Sequence, residues 1–136
     1  MTTQNLWGEL PNVDDVRTPT TILKEQAAQL SAATKAVLRG RAAVTQSSGW
    51  FLLQLRIVAP VLDNYEYTVL DVAHGVDPYP LTLTPIWNKN RREGGVRCNT
   101  EVEFLEAVAA VLQDDRTRRV VGALLAQSKA MSKDAG

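Results

Sequence analysis

Residues 50–59, WFLLQLRIVA, decide how this chain folds. Side chains alternate between the two faces of a β-strand. Alternation gives this stretch one fully apolar row: Phe51, Leu53, Leu55 and Ile57. The opposite row is mixed and consists of Trp50, Leu52, Gln54, Arg56 and Val58. We therefore expect a strand whose first row lies in the hydrophobic core.

Turn signals on both sides of this strand predict further strands. Residues 41–46 alternate and end at Ser47-Ser48-Gly49, residues 65–74 alternate after Asp63-Asn64, and residues 81–87 form a fourth candidate that Pro85 shortens or places at an edge. Short turns between strands favour an antiparallel meander. In the third strand, strict alternation would place Tyr65, Tyr67 and Val69 beside Trp50 and Leu52.

Helices are predicted before and after the strands. Residues 20–38 carry apolar side chains at helical spacing, with Thr18 as N-cap, Pro19 in the first turn and Gly40 as the stop. Thr100 and Glu103 form a capping-box pattern that opens a second helix, and Asp114 or Asp115 caps a third.

This order of elements predicts an α+β fold. We expect one N-terminal helix, a four-stranded antiparallel meander and two C-terminal helices packed on the sheet. Residues 1–17 are predicted to be an irregular arm, residues 18–130 a single domain and residues 131–136 a frayed tail.

Composition limits the function. The 136 residues contain one Cys and one His, so the chain has neither an internal disulfide nor the four Cys/His ligands of a structural zinc site. No metal and no cofactor is expected. A formal net charge of +0 argues against bulk attraction to nucleic acid or an anionic membrane. We expect no secretory signal in residues 1–11, and the free Cys98 favours the cytoplasm.

His74 and Cys98 are the only candidates for catalysis. Asp77, beyond the turn at Gly75, could hold His74 as a general base. Cys98 precedes a helix start, where a thiol pKa falls, but acidic residues follow it. A structural role is the better interpretation of both residues.

A basic loop could bind an anion. It contains Lys89, Arg91, Arg92 and Arg97, with Trp87 placed to stack on a base. The loop matches neither of the glycine-rich phosphate-binding patterns, and Glu93 dilutes its charge. A solvated loop is therefore favoured.

The second sheet face leads to the main functional hypothesis. Three helices could cover both faces of the sheet, or they could leave the row with Trp50, Tyr65 and Tyr67 exposed as an interface. We expect a non-enzymatic protein–protein interaction domain that binds a partner or a second copy of itself, using this face and the arm at Leu6, Trp7 and Leu10. The alternative is anion or nucleic-acid binding through residues 89–97, and the third hypothesis is a small enzyme using His74.

Two segments look like parts of small bacterial proteins of no assigned activity. They are residues 19–26, PTTILKEQ, and residues 65–67, YEY. No family and no residue role follows from this likeness.

Overall fold

The computed structural model describes residues 4–12, 17–89 and 94–134. Within these ranges the chain forms α1 (Pro19–Ala33), β1 (Arg39–Ser47), β2 (Trp50–Ala59), β3 (Tyr65–His74), β4 (Leu81–Pro85), β5 (Val96–Cys98), α2 (Glu101–Leu112) and α3 (Asp115–Asp134). Short 3-10 helices, Pro60–Leu62 and Ile86–Asn88, follow β2 and β4. The strands form an antiparallel sheet in the order β1-β2-β3-β4-β5.

The predicted α+β class is confirmed, with one more strand than expected. The additional strand, β5, begins within the predicted basic loop of residues 89–97 and pairs Cys98 with Leu81 and Val96 with Leu83. Three residues are too few to show alternation, so sequence periodicity could not reveal this strand. The predicted fourth strand ends at Pro85, because proline has no N–H to donate to a neighbour.

α1 begins as predicted but ends earlier. The Thr18 hydroxyl caps it by accepting a hydrogen bond from the Thr21 N–H, 3.2 Å away. The helix ends at Ala33, because Lys35 and Ala36 adopt left-handed φ angles of 52° and 64°. Gly40, which was predicted to stop the helix, lies inside β1 instead. This prediction was wrong because left-handed residues without a glycine leave no signal in the sequence.

Gly40 has a different role, which is to let α1 approach the sheet. A Cβ at this position would lie 2.7 Å from the carbonyl carbon of Ala27 and closer still to its Cα and oxygen. The Gly40 N–H also donates to the Ser31 hydroxyl at 3.1 Å. Helix backbone therefore rests directly on strand backbone at this one point.

A tight hairpin joins β1 to β2. Ser48 and Gly49 both have positive φ angles, 49° and 82°, as the favoured two-residue hairpin turn requires. Ser47 lies opposite Trp50, and the two strands pair over their whole length without a shift in register.

β3 contains a bulge at Val69. Leu55 pairs with Leu70, but Arg56 pairs with Thr68, so Val69 is an extra residue in this strand. The extra residue changes the alternation, and Val69 and Leu70 are both buried. As a result, Tyr67 lies opposite Ile57, on the same face as Leu70, Val72 and His74.

The core lies on one face of the sheet. The predicted apolar row of β2 is confirmed: Leu53, Leu55 and Ile57 are buried and Phe51 is partly buried. All three helices contribute to the same cluster, with the side chains Ile22, Leu23 and Ala27 from α1, Phe104, Val108 and Val111 from α2, and Leu124 from α3. Because the helices share this face, the other face of the sheet has no helical cover.

The two C-terminal helices follow the predicted signals closely. The Thr100 hydroxyl accepts a hydrogen bond from the Glu103 N–H at 3.2 Å, while the Glu103 carboxylate accepts from the Asn99 N–H at 3.3 Å. α3 continues to Asp134, into the segment that was predicted to fray.

The described residues of the N-terminal arm form neither helix nor strand. Leu6 and Trp7 are exposed, with Trp7 at 81%.

Candidate interaction surface

The uncovered side of the sheet, which we call the open face, is the main candidate site. Its side chains are those of residues 39, 41, 43, 45 and 47 of β1, 50, 52, 54, 56 and 58 of β2, 66, 68, 71 and 73 of β3, 82 and 84 of β4, and 97 of β5. Trp50 is 58% exposed and Leu52 is 52% exposed. The sheet therefore presents large apolar side chains to solvent on this face.

Positive charge is concentrated on the open face. Arg39, Arg41, Arg56 and Arg97 point from it, and among the described residues of the strands only Glu66 and Asp71 oppose them. Lys89 joins this surface, since its Nζ lies 3.8 Å from a carboxylate oxygen of Asp71. The face thus has more cations than carboxylates, although the whole chain has a formal net charge of +0.

Ion pairs hold several of these side chains in place. Arg41 donates to a Glu66 oxygen at 2.7 Å, and Arg56 lies 4.0 Å from the other Glu66 oxygen. Arg56 also donates through Nε to the Gln54 side-chain oxygen at 3.0 Å. The charged part of the surface is therefore partly ordered before any partner binds.

A shallow groove of about 300 Å³ crosses the open face. Its side chains come from four strands and from Lys89, which follows the second 3-10 helix; the strand residues are Ala43, Thr45, Leu52, Gln54, Asp71 and Thr84. The Oδ1 atom of Asp71 is buried in its floor without a hydrogen-bond partner among the described residues. A buried carboxylate oxygen of this kind can accept a hydrogen bond from a bound molecule.

Tyr65 and Tyr67 do not belong to this surface, which corrects the prediction from strict alternation. The bulge at Val69 places both tyrosines on the helix side, where they lie opposite Ala59 and Ile57. Tyr67 lies beside α3 and lines a groove with Trp87 and Val120. Burial raises the pKa of the Tyr67 hydroxyl.

The predicted anion site is divided between the two sides of the sheet. The Trp87 ring is covered by the Arg116 guanidinium, whose carbon lies 4.0 Å from the ring centroid. Lys89 and Arg97 lie on the open face instead, and Arg97 donates to the Asn99 side chain at 3.2 Å. Arg91 and Arg92 fall outside the described residues.

His74 is a core residue. It is buried, its ring stacks on Phe51 with centroids 5.0 Å apart, and its Nδ1 lies 2.6 Å from the carbonyl oxygen of Gly75. A carbonyl only accepts, so Nδ1 carries the proton. Asp71 lies on the other face, and Asp77 accepts from the Tyr79 N–H at 3.3 Å. The geometry brings no carboxylate among the described residues to His74.

Cys98 is also enclosed in the core. Its side chain is fully buried among the residues of the main cluster. Burial, and then the Glu103 carboxylate, raises the pKa of the Cys98 thiol. A raised pKa lowers the thiolate fraction, which is the opposite of what a nucleophile requires.

Gln54, Arg56 and Asp71 were not chosen as site residues from the sequence. Alternation along β2 does place Gln54 and Arg56 beside Leu52, so that signal was present. Asp71 could not be placed, because its neighbours depend on how β3 aligns with Gln54 of β2 and Thr84 of β4.

Comparisons and searches add no further site. Within the described ranges, no three His, Cys, Asp or Glu side chains come together as a metal site. No helix in that part of the chain is long and apolar enough to cross a membrane. No family model matches the chain, and no curated protein or solved structure is significantly similar to it.

Proposed function

We propose that this chain is a non-enzymatic protein–protein interaction domain that binds its partner on the open face. The observation that carries the proposal is the placement of all three helices on one side of the sheet, which leaves Trp50 and Leu52 exposed on the other. Exposed apolar patches bordered by polar residues mark interaction sites. The free Cys98 supports a reducing compartment and hence the cytoplasm.

The chemistry of the face fits a protein partner. Tryptophan and arginine are enriched at protein interfaces, where each offers a large contact area together with hydrogen bonds. Here Trp50 and Leu52 lie towards the start of β2, while Arg41 and Arg56, which their ion pairs with Glu66 already position, lie towards its end. The excess of cations favours a partner whose contact surface is acidic.

Paired variants of exposed residues test this proposal. Trp50→Ser combined with Leu52→Ser removes the apolar centre of the open face, while Val102→Ser changes an equally exposed side chain on α2. Proteins retained from a lysate of the source organism by wild type and by Val102→Ser, but lost by the double variant, would support the open face. Identical retention by all three chains would contradict it, as would recovery of no protein by the wild type.

Anion or nucleic-acid binding is the second candidate, now on the open face rather than on the loop. The cations Arg39, Arg41, Arg56, Lys89 and Arg97 favour it. It predicts retention on a polyanion column that falls steeply with salt. Replacing Arg39 and Arg97 with glutamine should then shorten retention, whereas Arg118→Gln on α3 should change it little. Failure to bind the column at low ionic strength would refute this alternative.

A further inference from the structure

β1 is an edge strand, and some of its backbone groups have no hydrogen-bond partner among the described residues. In a two-residue hairpin, the residues flanking the turn hydrogen-bond to each other, so Ser47 and every second residue before it bond to β2. The N–H and C=O groups of Ala42, Val44 and Gln46 then point away from the sheet. The Gly40 N–H, which has the same direction, donates to the Ser31 hydroxyl at 3.1 Å and confirms this assignment.

This edge lacks the features that usually prevent strands from pairing between molecules. β1 has nine residues in continuous register with β2, without a bulge. Residues 42–47, AAVTQS, contain neither proline nor charge. α1 rests on β1 at Gly40, whereas residues 44–47 are exposed and Val44 has 41% of its surface accessible. Proteins normally blunt such an edge with charge, proline or cover.

We propose that β1 pairs antiparallel with β1 of a second copy of this chain, with Val44 on the two-fold axis. Only this register uses all three outward residues, because it places Ala42 opposite Gln46 of the second copy and Val44 opposite Val44. The three pairs exchange two hydrogen bonds each. The inference stands independently of the proposed function, since it concerns the sheet edge rather than the open face.

The distribution of charge selects a second copy in this orientation. Parallel pairing would align Arg39 and Arg41 with the same cations of the other chain, which is unfavourable. The antiparallel register instead places Arg41 opposite Ser47 of the second copy. Ser47 is uncharged, so this register sets no like charge against the Arg41 guanidinium, which keeps its ion pair with Glu66.

α1 limits this pairing to residues 41–47, because Ser31 of α1 accepts the outward N–H of Gly40. Gly40, where α1 overhangs the edge, lies opposite Ser48 of the second copy, beyond the paired residues 41–47. The two-fold axis is perpendicular to the sheet, so both helical layers lie on one side. The joined sheet would carry both open faces on the other side and have twice the five strands of one copy.

Sedimentation equilibrium from low to high micromolar concentration tests the association. Wild type should shift from a mass of 14.9 kDa towards twice that value. Val44→Pro removes the central outward donor without affecting a bond to β2, and an edge strand tolerates proline at such a position. The Val44→Pro chain should remain monomeric, with an unchanged circular dichroism spectrum. The Val44→Ala chain keeps the N–H at this position and should still dimerise.

Cysteine cross-linking tests the register without depending on that variant. Val44→Cys should form a disulfide dimer on mild oxidation, since Cα atoms in a bonded antiparallel pair lie about 5.5 Å apart. Ala42→Cys should not, because the register separates it from its own symmetry mate by four residues, or about 13 Å. The buried Cys98 does not compete.

Three results would overturn the inference. The first is a wild-type chain that stays monomeric at the highest concentration. The second is equal cross-linking of Val44→Cys and Ala42→Cys. The third is a dimer that survives Val44→Pro but is lost in Leu52→Ser, which would assign self-association to the open face and support the proposed function instead.

Discussion

Replacing Gly40 with alanine tests the closest contact between helix and sheet in this protein. The new Cβ would lie 2.7 Å from the carbonyl carbon of Ala27, well inside van der Waals contact. The obstacle is helix backbone rather than a flexible side chain, so α1 must move as a unit. That movement also stretches the hydrogen bond between the Gly40 N–H and the Ser31 hydroxyl, now 3.1 Å long.

Two contributions lower the free energy of unfolding of Gly40→Ala, and one raises it. Overpacking against a rigid neighbour costs about 1–3 kcal/mol. Weakening one hydrogen bond adds up to about 1 kcal/mol. Alanine restricts the unfolded chain and returns about 0.4–1 kcal/mol. We expect the free energy of unfolding to fall by about 2 kcal/mol, a large share of the stability of a small domain.

Urea unfolding followed by circular dichroism at 25 °C measures this loss. With a slope typical of small proteins, the midpoint should fall by about 1 M urea. Gly122→Ala is the matched control, because a Cβ there would meet no described atom within 4 Å. Gly122 lies inside α3, so alanine should stabilise the chain by up to about 1 kcal/mol. A Gly40→Ala chain as stable as the wild type would refute the account of this contact.

Three further predictions concern the core, a helix cap and pH. Leu53→Ala should lower the free energy of unfolding by about 2–5 kcal/mol, because Leu53 is buried. Leu52→Ala should lower it by far less, because Leu52 is exposed. Equal losses of stability in urea titrations would contradict the proposed faces of β2. Thr100→Ala should cost about 1 kcal/mol by removing the hydroxyl that accepts from the Glu103 N–H, and Thr100→Ser should restore most of it in the same assay. Burial raises the pKa values of Cys98 and Tyr79 in the folded chain. The stability linked to their neutral forms is therefore complete below their ordinary pKa values of 9.0 and 10.0 and is lost as the pH rises through the raised values. Thermal melts should show a melting temperature that falls above about pH 9, and the fall should be smaller in Cys98→Ser.

The sequence was sufficient for the strands whose side chains alternate clearly. β2 and β3 have the predicted bounds, because a long apolar row and turn residues on both sides define each of them. The capping box before α2 was also predictable, since its two bonds are local. Local signals of this kind do not require knowledge of the rest of the fold.

The failures arise where geometry depends on another strand. Tyr65 and Tyr67 were assigned to the wrong face, because a bulge is defined by the pairing of two strands rather than by one strand's residue pattern. The exposure of Trp50 also could not be derived, since three amphipathic helices can cover either one face or both. The site was therefore predicted in part: its position on the second sheet face was among the alternatives, but two of its three predicted aromatic residues, Tyr65 and Tyr67, were not on it.

The bulge at Val69 also affects how β3 should respond to changes in length. In a regular strand, removing one residue sends every side chain on one side of the cut to the opposite face. β3 already has one residue more than β2 requires, so loss of Val69 would leave Thr68 opposite Arg56 and Leu70 opposite Leu55, as they are now. A shortened β3 would therefore keep its tyrosines and its core leucine on the same side, and this position is where the sheet can best tolerate a single-residue deletion.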